Sequence, residues 1–105
     1  MLRLTLASAL VLFAANACTW VQLEQSGAQV RVVAMDAPLG GCTFKGEITT
    51  TVTNRLAGIE RNSIKVADEL ETLARNEAAG LGANTLRPKG PPVAGEQSFT
   101  AHQCP

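Results

Sequence analysis

The side chains best suited to chemistry in this chain are few: Cys18, Cys42, Cys104 and the single histidine, His102. Cys42 and Cys104 could form a structural disulfide, act as a redox switch, or bind a metal with His102 as a third donor through His102-x-Cys104. The metal reading is short of donors, because the paired C-x-x-C spacing of a zinc site is absent. For catalysis, His102 would need a nucleophile to serve, and neither Gly-x-Ser-x-Gly nor a Cys/His signature is present. The expectation is a non-enzyme with no cofactor and no metal, in which His102 is a partly exposed strand residue with its hydrogen bonds satisfied.

The start of the chain bears on which role the cysteines take. Met1–Ala17 carries one positive charge, Arg3, followed by the apolar run Leu4–Ala15. That run is too short to span a bilayer and fits a secretory signal peptide. Ala15-Asn16-Ala17 then leads to Cys18, the arrangement of a bacterial lipobox, in which a small residue precedes the thiol that takes the lipid. The competing reading is plain secretion, since Ala15-x-Ala17 also suits the other signal peptidase. Three cysteines is an odd count for an exported chain. With Cys18 lipidated, two thiols remain to pair, and an oxidising compartment favours a disulfide for them. Closing the loop from Cys42 to Cys104 is worth about 4 kcal/mol in the chain-entropy model.

Removing the first 17 residues leaves 88 of the 105, with eight basic and nine acidic side chains. That is one domain with a modest core, to which a staple matters. No basic patch is present, so nucleic acid is not an expected partner. Residues 18–27 read as the lipidated cysteine and a short tether, in which Trp20 either rests at a membrane interface or is a plain tether residue or one packed on the domain. Residues 28–105 read as the folded part.

The elements that must position the cysteines follow from period. In Asn62–Asn84, Val66, Ala67, Leu70, Leu73, Ala74, Ala78 and Leu81 recur at three- and four-residue steps and form one helical stripe. Asn62 or Ser63 suits its N-cap, and Gly80 a left-handed stop. Asn76, Glu77 and Asn84 near the helix end suit capping and backbone satisfaction, with ligand binding as the other reading. Ala28–Met35 is β-branched and apolar, a first strand, and Asp36–Gly41 a turn. Cys42–Thr53 alternates: Cys42, Phe44, Gly46, Ile48, Thr50 and Val52 form the covered face, while Thr43, Lys45, Glu47, Thr49, Thr51 and Thr53 form a polar outer one. Gly46 suits a bulge or a close approach of the helix. Asn54–Arg61 leads into the helix, Ala83–Arg87 is a third strand, Pro88–Gly95 a loop and Glu96–Cys104 the last strand. Strict alternation sets Cys104 on the face opposite Phe99 and Ala101, so the disulfide requires Cys104 beyond the regular strand or a bulge between Phe99 and Cys104.

The lipobox-like cysteine, GC(x)₃G at Gly41–Gly46, LARNEAAGLGANT at Leu73–Thr85 and GEQSF(x)₄C at Gly95–Cys104 together resemble domain-of-unknown-function family 4156, small bacterial envelope lipoproteins. More loosely the chain is similar to the Rcs stress-sensor lipoprotein of the outer membrane, from which it departs in lacking a long proline-rich tether. The resemblance implies an outer-membrane anchor facing the periplasm and a part in envelope sensing or maintenance. Thr19 agrees, since the acidic residue that can retain lipoproteins in the inner membrane is absent.

The expected architecture is α+β: a small two-layer sandwich in the order ββαββ, with an antiparallel or mixed sheet of about four strands, one helix on one face and a disulfide staple. One helix covers one side of a sheet. The polar row Thr43, Lys45, Glu47, Thr49, Thr51 and Thr53 is therefore either a plain solvated face or the candidate surface for an envelope protein, by face contact or by strand addition at an edge. The alternative function is a small-ligand or metal-binding periplasmic module.

Overall fold

A computed structural model describes residues 21–105. A 3₁₀ turn at Gly27–Gln29 leads to β1 (Arg31–Val32), and β2 (Thr43–Thr51) follows a loop. A small hairpin, β3 (Arg55–Leu56) and β4 (Ile59–Glu60), precedes α1 (Ser63–Gly80); β5 (Thr85–Pro88) and β6 (Glu96–Gln103) close the chain. The main sheet runs β1-β5-β6-β2, with β1 parallel to β5 and the other pairs antiparallel. The fold is thus the expected α+β arrangement, with a mixed four-stranded sheet, one helix against it and an added hairpin.

The helix begins where Asn62 accepts from the backbone N–H groups of Ile64 and Lys65, at 2.9 and 3.2 Å, so two orphan donors of the first turn are satisfied. Its end differs from expectation. Gly80 is still helical, and the left-handed residue is Gly82, with φ +74°. The N–H of Gly82 bonds Ala79 O and that of Ala83 bonds Ala78 O, the paired bonds of a Schellman motif. Ala78 and Ala83 are both buried, so the motif turns the chain straight into the core.

Val66, Leu70, Ala74 and Ala78, four residues apart, are the buried row of the helix; Leu81, expected on that stripe, is exposed. Across from them lie Ile48 of β2, Leu86 of β5, and Phe99 and Ala101 of β6, all buried. One buried polar contact joins the layers: the Thr50 hydroxyl donates to Leu70 O at 3.1 Å. A hydroxyl at a covered position would be costly without that acceptor.

Two expected segments are corrected. The strand expected over Ala28–Met35 is regular only at Arg31–Val32, because its first residues form the 3₁₀ turn. The lead-in at Asn54–Arg61 is a hairpin, closed by Ala57 and Gly58 with φ +51° and +78°. Positive φ at both central residues is what a type I′ turn requires.

Candidate functional site

The sulfurs of Cys42 and Cys104 are bonded, 2.11 Å apart, with Cα atoms 4.2 Å apart. The register explains how they meet. From Thr51↔Glu96 to Gly46↔Ala101 the β2–β6 ladder is regular; it then slips by one residue, so Phe44 pairs with His102 and Thr43 with Gln103. Continued one step, that register sets Cys42 directly across from Cys104. The extra residue that reconciles the two cysteines is therefore in β2, at the bulge before Gly46, not between Phe99 and Cys104. Cys104 does lie just beyond the regular strand, which ends at Gln103.

The bulge also changes which side chains share a face. Phe44, expected on the covered side, is 61% exposed and meets the His102 ring edge-on, with centroids 5.6 Å apart. The reversal of parity moves Thr43 off the outer row and Phe44 onto it. Gly46 serves both expected purposes: it ends the bulge, and a Cβ there would touch Leu81 Cδ1 at 3.4 Å.

On the outer row, Lys45, Glu47, Thr49 and Thr51 are exposed, as are Thr43 and Thr53 nearby. Thr49 shares a hydrogen bond with Ser98 across the strands at 2.8 Å, and Lys89 pairs with Glu47 at 2.9 Å. The face is not bare throughout. Arg87 reaches over it to donate to Ala37 O in the β1–β2 loop. His102, expected to be partly exposed, is instead buried, and it is hydrogen-bonded to the Thr100 hydroxyl at 2.9 Å. Burial, and then the Arg87 guanidinium, push its pKa below the ordinary value of 6.5. A buried imidazole that prefers to be neutral, held by Thr100 and against Phe44, is a packed residue with a satisfied nitrogen. Among the described residues, no group of three His, Cys, Asp or Glu side chains comes together as a metal site.

The asparagines near the helix end serve the backbone. Asn84 Nδ2 donates to Cys104 O and its Oδ1 accepts from Cys104 N, both at 2.8 Å. This two-point clasp fixes the cysteine that closes the staple. Asn76 does the same for the incoming chain: its Oδ1 accepts from Glu24 N and its Nδ2 donates to Gln22 O, both at 2.8 Å. Gly27 is buried against Asn76, where a Cβ would collide with the amide oxygen. The part of the expected tether from Gln22 to Gly27 therefore lies docked on the helix. Glu77 is exposed. Cys18, the signal segment 1–17 and Trp20 lie outside the described residues.

Sequence reasoning missed the hairpin arm. Arg61, at its base, donates to Thr53 O at 2.7 Å and forks onto Glu69 with bonds of 2.9 and 2.6 Å. Leu56 and Ile59 stand opposite each other across the turn, 61% and 72% exposed. The available signal was Ala57-Gly58 between two apolar residues, a weaker cue than Asn-Gly.

A model of the family described as Domain of unknown function (DUF4156) matches residues 21–104 of the chain. No curated protein and no solved structure matches it, and the looser similarity to the Rcs sensor finds no support.

Proposed function

The chain belongs to the DUF4156 family, and from that premise we propose that it is a non-enzymatic bacterial envelope lipoprotein. Acyl chains on Cys18 anchor it in the outer membrane, and its folded part faces the periplasm as a structural or stress-sensing interaction module. One observation carries this reading. Cys42 and Cys104 use each other, so of three cysteines only Cys18 is left, at the position a lipobox would modify. The disulfide also agrees with folding in an oxidising compartment.

Intact-mass analysis of protein extracted from membranes tests it. The expected species begins at Cys18, carries acyl chains and lacks the two hydrogens of a disulfide. A chain beginning at Cys18 with no added lipid would overturn the anchor. The partner surface is the exposed row of β2, an edge strand whose outer side has no neighbour in the sheet. Replacing Thr49 and Thr51 with Lys should reduce cross-linking to an envelope protein; unchanged capture would remove that surface from the proposal.

The alternative, a small-ligand or metal-binding module, would use the open hollow lined by Gln29, Val30, Ala79 and Asn84. Its metal form loses both thiolates to the disulfide.

A further inference from the structure

We propose that the apolar face of the β3–β4 hairpin, together with Ile64, is a second membrane contact that rests on the bilayer holding the anchor. This rests on the reading of Cys18 as lipidated.

The hairpin is amphipathic by register. Leu56 pairs with Ile59, so both side chains stand on one face. Arg55 pairs with Glu60, on the other face, and the two form a salt bridge of 3.1 Å. Ile64 follows in the first helical turn and is 78% exposed. An isolated two-stranded hairpin is marginal in water, yet this one is built to be held out. Arg61 N bonds Asn54 O at 2.8 Å, and the Arg61 guanidinium ties the base to Glu69 of the helix. The clamp keeps three large apolar side chains presented, with none of them used in the core.

The path of the incoming chain selects the bilayer as the occupant. Traced backward from Gly27, the backbone passes Asn76 at Glu24 and Gln22. At Val21 it borders a hollow lined by Lys65, Asp68, Glu69 and Thr72. It therefore runs toward the beginning of α1, the end that carries Ile64 and the hairpin. Cys18 is three residues before Val21, a reach of about 10 Å at full extension. A lipid on Cys18 thus brings a bilayer surface close to this end of the domain. Lipid anchors commonly act with a second membrane signal, and an apolar hairpin at this place supplies one. Arg61 is paired with Glu69 and Arg55 with Glu60, and the proposed contact is made by the apolar side chains.

The test uses the full lipidated chain in vesicles of phosphatidylethanolamine and phosphatidylglycerol containing brominated lipid. Trp20, the only tryptophan, is replaced by Phe, and one reporter is introduced by Ile59→Trp or by Leu81→Trp. Leu81 is exposed at the far end of the 18-residue helix, roughly 27 Å away. The expected result is about a twofold loss of fluorescence for Ile59→Trp and none for Leu81→Trp, as interfacial burial of a few ångströms would give. Acyl mass is measured on the same sample. Acylated protein with neither reporter quenched overturns the hairpin contact and leaves the anchor standing. Protein without acyl chains overturns both. A concentration-dependent dimer, cross-linked through position 59 and shielded from lipid, would assign the face to a second copy and overturn the proposal.

Discussion

The two ends of α1 close the domain in different ways. At its C-terminal end, a disulfide, a β2 bulge and the two-point clasp of Asn84 on Cys104 meet within a few residues. At its N-terminal end, nothing covalent is used. The hairpin there hangs on Arg61, which grips Glu69 and Thr53 O, while its apolar face points away from the core. A domain this small buries only a modest core, so a staple at one end matters. The staple is placed where sequence-distant strands must meet, and the end left to polar ties is the one free to present a surface.

The largest effect should come from removing the staple. The double substitution Cys42→Ala with Cys104→Ala releases a loop with a sequence separation of 62, which is expected to lower unfolding stability by about 4 kcal/mol. Urea unfolding free energies would measure it, with the slope fitted separately for each protein, since the released unfolded chain exposes more surface. If the loss is under about 1 kcal/mol, the Asn84 clasp alone holds that end and the contrast between the ends is one of kind, not strength.

At the hairpin end, two turns of the same sequence separate a packed turn from a free one, at an intermediate size. Ala57-Gly58 and Ala94-Gly95 both place Ala and Gly at positive φ. Gly58 faces open space, whereas Gly95 is buried and a Cβ there would run into Val52 O. Gly58→Ala should cost only the conformational strain, about 1 kcal/mol. Gly95→Ala adds a backbone clash and should cost about 2 kcal/mol more. Equal losses would mean that the loop before β6 shifts to admit the added methyl.

The same contrast marks what was legible in the sequence. The helix was readable because Val66, Leu70, Ala74 and Ala78 repeat the period of a one-sided helix, and β2 and β6 because each alternates over many residues. The pairing of Cys42 with Cys104 followed from arithmetic and compartment, yet the alternation of the strands argued against it. The bulge that reconciles them depends on a register between strands about fifty residues apart, which no local window contains. It reassigns Phe44 and Thr43 at a stroke. Asn76 and Asn84 could be read as serving backbone, but not whose: their partners, Gln22, Glu24 and Cys104, are remote in sequence. The hairpin was illegible for a different reason. Two-residue strands show no period, and Ala57 takes a positive φ against its own preference.

Acid should take the two ends apart in order. His102, at the stapled end, is held below its ordinary pKa of 6.5, chiefly by burial. As pH falls past that value the unfolded chain takes the proton before the folded chain does, so stability drops, and the drop stops once the folded imidazole is also protonated. Glu69, at the hairpin end, is held below its ordinary 4.5, chiefly by the hydrogen bonds of Arg61. Its contribution is fully present above 4.5 and is lost as pH falls through the depressed folded value. Urea midpoints followed from about pH 7.5 to about pH 3 should therefore fall in two steps. His102→Gln, which keeps a hydrogen-bonding group near Thr100, should flatten the first step and leave the second. Glu69→Gln should do the reverse, since it keeps the shape of the clamp and removes the charge that Arg61 grips. A first step that survives His102→Gln would mean that a group other than the imidazole carries it.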